Sequence, residues 1–186
     1  MGYHTFDVSR ADKLEDAGRR YRFLSAEELL WALSLSPDEV VADFGSGTGF
    51  FTDDVAPHAS AVHAVDLQEE MHDYYREKGV PENVALVTSD VSDLPFDDGA
   101  IDAAFSTMTY HEFASDASLA EIRRVLGPDG RLVVVDWAAT GTGDFGPPLD
   151  ERYEAAEAAA ALRDAGFTID HEAVRPETFL LIATLE

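Results

Sequence analysis

Apolar residues along this chain fall into short blocks, and the blocks follow two different periods. Val40-Val41-Ala42, Ala61 to Val65, Val84 to Val87, Ile101 to Phe105 and Arg131 to Trp137 are short and largely apolar, the pattern of buried strands. Between them the spacing becomes helical. Leu29, Leu30 and Leu33 form one face, and Ser25 with Glu28 three residues later has the spacing of a helix-start capping box. Phe50 to Pro57, Leu67 to Gly79 and Asp116 to Leu126 read as helices, with Met71 and Tyr75 four apart in one and Leu119, Ile122 and Leu126 aligned in another. Tyr153 to Ala165 is alanine-rich and helix-forming, and Phe167 to Val174 and Phe179 to Leu185 close the chain as two strands. A further short helix is expected at Asp12 to Arg20. Strands alternating with helices over 186 residues predict one α/β domain. Residues 38–186 form its core, and residues 1–35 form an N-terminal helical extension or lid.

The first strand runs into an unusual turn. Val40 to Phe50 reads V-V-A-D-F-G-S-G-T-G-F, so Asp43 ends the strand and Gly45, Gly47 and Gly49 alternate with small residues before a helix begins. A strand, a glycine turn and a helix N-terminus together make a site for a polar ligand. The second strand ends in Asp66. A parallel strand returning beside the first brings that carboxylate to the turn, where it can accept both hydroxyl hydrogens of a ribose. A dinucleotide fingerprint requires its third glycine at the sixth position, which is Phe50 here; Gly49 is at the fifth. No Gly-Lys-Ser/Thr follows, so a phosphate loop of the Walker kind is also excluded.

These residues resemble motif I of the class I S-adenosylmethionine-dependent methyltransferases. The order of the remaining motifs resembles that family too: Asp66 after strand two, Ser89-Asp90-Val91 after strand three, Ile101 to Ser106 as strand four, and Leu126-Gly-Pro-Asp-Gly-Arg-Leu132 as the turn before strand five. The likeness covers residues 38 to 137. It is greatest to members acting on small molecules such as quinone precursors. Some relatives share the opening His-x-Phe, the Leu-Glu-Asp segment, and Val-Asp-Trp with Gly-Pro-Pro. The resemblance implies a Rossmann-like seven-stranded sheet of order 3-2-1-4-5-7-6 with helices on both faces. It implies S-adenosyl-L-methionine as cofactor, held by Asp43, Gly45, Ser46, Gly47, Gly49, Asp66, Leu67, Asp90 and Val91. Asp66 is assigned to the ribose, and Asp90 with the Val91 amide to the adenine edge.

Composition narrows the setting. Cysteine is absent, which excludes disulfides, a cysteine nucleophile and cysteine-rich metal sites. No His-Glu-x-x-His occurs, so no metal is expected. No stretch is long and apolar enough to span a bilayer, and no signal-like segment opens the chain, so a cytoplasmic enzyme is expected. The formal charge is −24, from 37 acidic and 13 basic residues, and Lys13 and Lys78 are the only lysines. Self-repulsion of that size destabilises a compact state at low salt, and molar salt shortens the screening length to about 3 Å. A haloarchaeal, high-salt source is expected. A nucleic-acid partner is disfavoured by the mean field.

The acceptor side is read from the far ends of strands four and five. Ser106 to Phe113 is the richest polar cluster, with Tyr110, His111 and Glu112 as catalytic candidates; His111 is suited to proton transfer near neutrality. Trp137 walls the acceptor pocket, and the glycine-rich loop Ala138 to Pro148 covers it. Arg20 and Tyr21, in the most basic and aromatic region of an acidic chain, are placed at the substrate. His4 is read as a packing or surface residue and Trp31 as core or helix packing. The acceptor is expected to be a small molecule, because the chain has no room for a separate recognition domain. Two rival readings stand beside this one: a non-catalytic S-adenosylmethionine-binding or regulatory protein, and a NAD-dependent oxidoreductase.

Overall fold

The structure is a computed structural model that describes residues 6–185, so His4 and the first part of the His-x-Phe motif lie outside the described residues. Seven strands form one sheet in the order β3-β2-β1-β4-β5-β7-β6. They are β1 (Val40–Phe44), β2 (Ala61–Asp66), β3 (Val84–Thr88), β4 (Ile101–Thr107), β5 (Leu126–Trp137), β6 (Thr168–Val174) and β7 (Thr178–Thr184). The first five run parallel, and β7 is antiparallel to both β5 and β6. The expected strand order and seven-stranded architecture are the ones observed.

The core divides by the strand period of two. Val41, Val133, Val135 and Leu180 face one side of the sheet, where α2 (Ala26–Leu33) and α3 (Phe50–Val55) cover them. Ala42, Leu132, Val134 and Leu181 face the other, covered by α5 (Tyr110–Phe113), α6 (Asp116–Val125) and α7 (Ala155–Asp164). Both faces of the central strands are therefore buried, which is why they read as unbroken apolar runs. Ser25 caps α2, accepting from the Glu28 amide at 3.1 Å.

Three local expectations are corrected. The segment expected to be one helix at 12–20 is a 3-10 helix, Val8–Glu15, followed by the single turn α1 (Ala17–Arg20), because Asp16 breaks the run and caps the second piece through the Arg19 amide. The glycine-proline turn before strand five belongs to β5 itself. Leu126 already pairs with Ile101, and the ladder shifts register before Arg131, with Asp129 at φ 59° absorbing the bend. Trp31 is 62% exposed, its edge against His171, and is not part of the core.

Candidate functional site

Two cavities open at the C-terminal ends of the parallel strands, where such sheets collect ligands. The first, of about 880 Å³ with its mouth, is lined by Gly45, Ser46 and Gly47 after β1, Asp66, Leu67 and Gln68 after β2, Ser89 to Val91 after β3, and Thr107 to Thr109 after β4. The second, of about 1190 Å³ with its mouth, lies toward β5 and contains His111, Glu112, Trp137, the Gly146-Pro147-Pro148 segment and Glu151. Phe6, Leu14, Arg20, Met108 and Glu112 line both, so the cavities share a wall.

The glycine turn is built by close packing as much as by exposure. A Cβ on Gly45 would lie 2.3 Å from Thr109 Cγ2, and one on Gly49 would lie 2.0 Å from Tyr75 Cε1. Both residues also have φ near +78°, a region open to glycine. The sequence reading took all three glycines as ligand contacts. Gly45 and Gly47 line the first cavity, whereas Gly49 caps α3 under the Tyr75 ring and does not. Asp43 is also absent from the lining. It is buried beneath the turn, where its Oδ2 accepts from Thr52 Oγ1 at 2.6 Å and its Oδ1 has no partner among the described residues. Burial pushes its pKa up to about 7, opposed by the Thr52 hydrogen bond and the positive charge of Arg20.

Asp66 points into the first cavity with acceptor capacity to spare. Its Oδ2 accepts from the Gly47 amide at 2.8 Å and its Oδ1 from the Gln68 amide at 2.9 Å. A carboxylate has about four lone-pair sites, so the two oxygens can still accept a pair of hydroxyls. Burial raises its pKa, with the two amides working against that. Asp90 and the buried Val91 lie farther along the same rim, and Leu67 is a half-exposed apolar side chain beside them.

The second cavity contains a pairing that sequence reading missed. Asp136, fully buried at the end of β5, accepts from the His111 ring Nδ1 at 2.9 Å, the His111 amide at 2.7 Å and the Trp137 amide at 2.8 Å. Nδ1 is thereby fixed as the protonated nitrogen of the neutral ring, which leaves Nε2 as the base, 3.9 Å from Glu112. Burial alone would lower the His111 pKa. The hydrogen bond and charge of Asp136, with Glu112 and Glu151 behind them, outweigh burial and raise it above 6.5. Glu112 is pushed up to about 7, chiefly by burial. The arrangement depends on Met108, which sits at φ 60° and donates its amide to Val135 O at 2.6 Å, turning the chain sharply off β4 into α5. The sequence signal for the pairing was the acid of Val-Asp-Trp at the end of strand five.

Two of the aromatic assignments are corrected. Tyr110 lines neither cavity; its ring is buried against Phe113 and Tyr153 on the other side of α5. Tyr21 is half-exposed, its hydroxyl on Asp54 and its ring against Phe50. Trp137 lines the second cavity, with Gly146 flat against its indole and Phe23 at its edge. Arg20 lines both cavities, stacked on Phe51 at 4.8 Å. No group of acidic and histidine side chains suited to a metal ion occurs among the described residues, and none of their helices is long and apolar enough to cross a membrane.

The sequence matches the family model described as methyltransferase domain over residues 42–134. A solved structure of an S-adenosylmethionine-dependent methyltransferase from Aquifex aeolicus is 30% identical, with 98% of this chain and 100% of that one aligned at a TM-score of 0.89. Among curated proteins, the demethylmenaquinone methyltransferase of Mycolicibacterium gilvum is 35% identical over 117 residues, covering 61% of this chain and 49% of that protein. The malonyl-[acyl-carrier protein] O-methyltransferase of Serratia marcescens is 32% identical over 140 residues, covering 74% and 54%. The chain spans no more than about half the length of the curated relatives it matches first.

Proposed function

The chain belongs to the S-adenosylmethionine-dependent methyltransferases, and from that premise we propose that it transfers a methyl group to a small-molecule acceptor by in-line displacement. The observation that carries this reading is the shared wall. A cavity with a ribose-accepting carboxylate meets a cavity with an oriented histidine, and Met108 and Glu112 stand where they join.

The residues of the first cavity fit S-adenosyl-L-methionine. Asp66 keeps lone pairs for two ribose hydroxyls, Ser89 to Val91 frame an adenine edge, and Ser46 and Arg20 line the cavity where the amino-acid end would lie. The cofactor supplies a methyl group on a positively charged sulfur that leaves as a neutral thioether. The chain then has two tasks. The walls of the second cavity hold the acceptor atom in line, which supplies much of the rate. His111 Nε2 takes the acceptor's proton while Asp136 stabilises the resulting imidazolium. Glu112, held partly protonated by burial, sits at the same junction and can orient a hydroxyl without placing a full negative charge beside it.

This reading keeps residues 1–35 as an N-terminal helical extension or lid and 38–186 as the cofactor core. It places the protein in a cytoplasm, with a salt-rich, haloarchaeal medium supported by the −24 charge, which also disfavours nucleic acid as substrate. Calorimetry with S-adenosylhomocysteine and with NAD tests the cofactor. Binding of the first and not the second is expected, and Asp66→Ala should weaken it by about 1–3 kcal/mol. His111→Ala should lower single-turnover methyl transfer at least tenfold with cofactor affinity intact. Equal binding of NAD, or full transfer by the alanine variant at every pH, would count against the respective assignment.

A further inference from the structure

The basic residues of this chain are not distributed like its acids. Arg76, Lys78, Arg124, Arg131, Arg163 and Arg175 each hold a carboxylate within 3.9 Å. Arg152 is committed to the backbone carbonyls of Pro147 and Ala138. Six of the 13 bases are thus paired, and Arg22 and Arg123, which hold no carboxylate within 4 Å among the described residues, stand outside both cavities. Yet four of the 13, Arg10, Lys13, Arg19 and Arg20, line the second cavity, and among the described residues none of them has a carboxylate partner.

Three of the four stack on aromatic rings instead: Arg10 lies over Phe6 at 5.8 Å, Arg19 over Phe145 at 5.6 Å and Arg20 over Phe51 at 4.8 Å. A guanidinium laid on a ring is held in place while its in-plane N–H groups remain free to donate. The acids of the same cavity form no close ion pair with this wall among the described residues, although the charge of Arg10 is felt at Asp7. Asp7 is turned to Ser9, whose amide and hydroxyl donate to it at 3.0 and 2.8 Å, and Glu112 and Glu151 stand at the His111 end. The cavity is thus basic along the N-terminal segment, apolar across Phe23, Met108 and Trp137, and proton-accepting at His111.

We propose that the second cavity takes an anionic small molecule, one bearing a carboxylate or a phosphate on an apolar body, with the anion on Arg10, Lys13 and Arg19 and the methyl-accepting atom toward His111. The role of that cavity as acceptor site rests on the methyltransferase reading; its preference for an anion does not. Arg20 faces both cavities and serves either ligand, whereas Arg10, Lys13 and Arg19 line only the second. The three therefore separate acceptor recognition from cofactor recognition.

The test is calorimetry on the full chain, with S-adenosylhomocysteine first and then matched probes at one fixed potassium chloride concentration: 4-hydroxybenzoate against 4-hydroxybenzamide, and phenyl phosphate against phenol. At least one anion should bind tenfold or more tightly than its neutral counterpart. The Arg10→Ala, Lys13→Ala, Arg19→Ala variant should abolish that preference while S-adenosylhomocysteine affinity stays within twofold. A control lacking Arg76, Arg123 and Arg163 loses the same charge elsewhere and should keep the preference, which separates a site from a change in mean field. The three lining residues are exposed, so their variant should keep the wild-type melting transition. Equal binding of anion and neutral probe, binding of neither, or a preference that survives the triple substitution overturns the proposal. Failure of S-adenosylhomocysteine to bind the wild type would instead strike the methyltransferase reading, and the anion preference would be read on its own.

Discussion

At the scale of single residues, Asp136 organises the most chemistry. One buried carboxylate orients the His111 ring, secures the His111 amide and holds the start of the Trp137 backbone. Its effect on His111 has a definite sign. The folded pKa lies above the usual 6.5, so the stability this pair contributes is fully present below pH 6.5 and is lost as pH rises through the folded value. Methyl transfer that needs neutral His111 should rise over the same interval. In Asp136→Asn the largest raising influence is gone while Glu112 and Glu151 remain, so the His111 pKa should fall from its wild-type value. Nuclear magnetic resonance titration of the His111 ring in both proteins measures this, and an unchanged midpoint would refute the coupling. The sequence revealed the acid at the end of strand five but not its partner. That partnership depends on Met108 adopting a left-handed turn, which no pattern of residue types announces for a methionine.

At the scale of elements, composition decided legibility. β1 and β4 are buried almost throughout and read as largely apolar runs, and the half-exposed β3 and the largely exposed β6 were readable as well. The start of β5 was not, since Gly127-Pro128-Asp129-Gly130 has the composition of a turn while the ladder runs through it with a register shift. Tyr110 was misassigned for a helical reason. Successive residues on a helix diverge by about 100°, so α5 can aim His111 at the cavity only by sending Tyr110 into the core. The glycine-rich loop after β5 was expected to cover the acceptor pocket, and Arg152 gives it a fixed shape. Its guanidinium binds the carbonyls of Phe145, Pro147 and Ala138 and stacks at 5.5 Å on Trp137, fixing the loop as the outer wall of the second cavity.

At the scale of the whole molecule, charge and connectivity act together. The pairs of Arg76 and Arg163 sit on the outer surface, where each contributes little, and a formal −24 remains. Screening should therefore raise the melting temperature between about 0.1 M and molar potassium chloride; a flat or falling transition would remove the salt-rich reading. The N-terminal segment crosses this acidic body and is tied down at several points. Gln68 Nε2 donates to Phe6 O at 3.1 Å, Lys78 binds Glu15 at 3.3 Å, Thr48 donates to Glu15, and Tyr21 donates to Asp54. Phe6, Leu14 and Arg20 on that segment face both cavities. A wall common to two ligands makes their affinities interdependent, because whichever arrives first restricts the motions the other must otherwise restrict. Linkage requires the factor to be the same in both directions. S-adenosylhomocysteine should tighten 4-hydroxybenzoate by about 5-fold or more, a typical lower bound for such coupling, and 4-hydroxybenzoate should tighten S-adenosylhomocysteine equally. Independent binding in both orders of titration would mean the segment is already rigid. With coupling, neither ligand is held firmly by a half-filled cleft, and the protein selects for simultaneous occupancy before any bond is made.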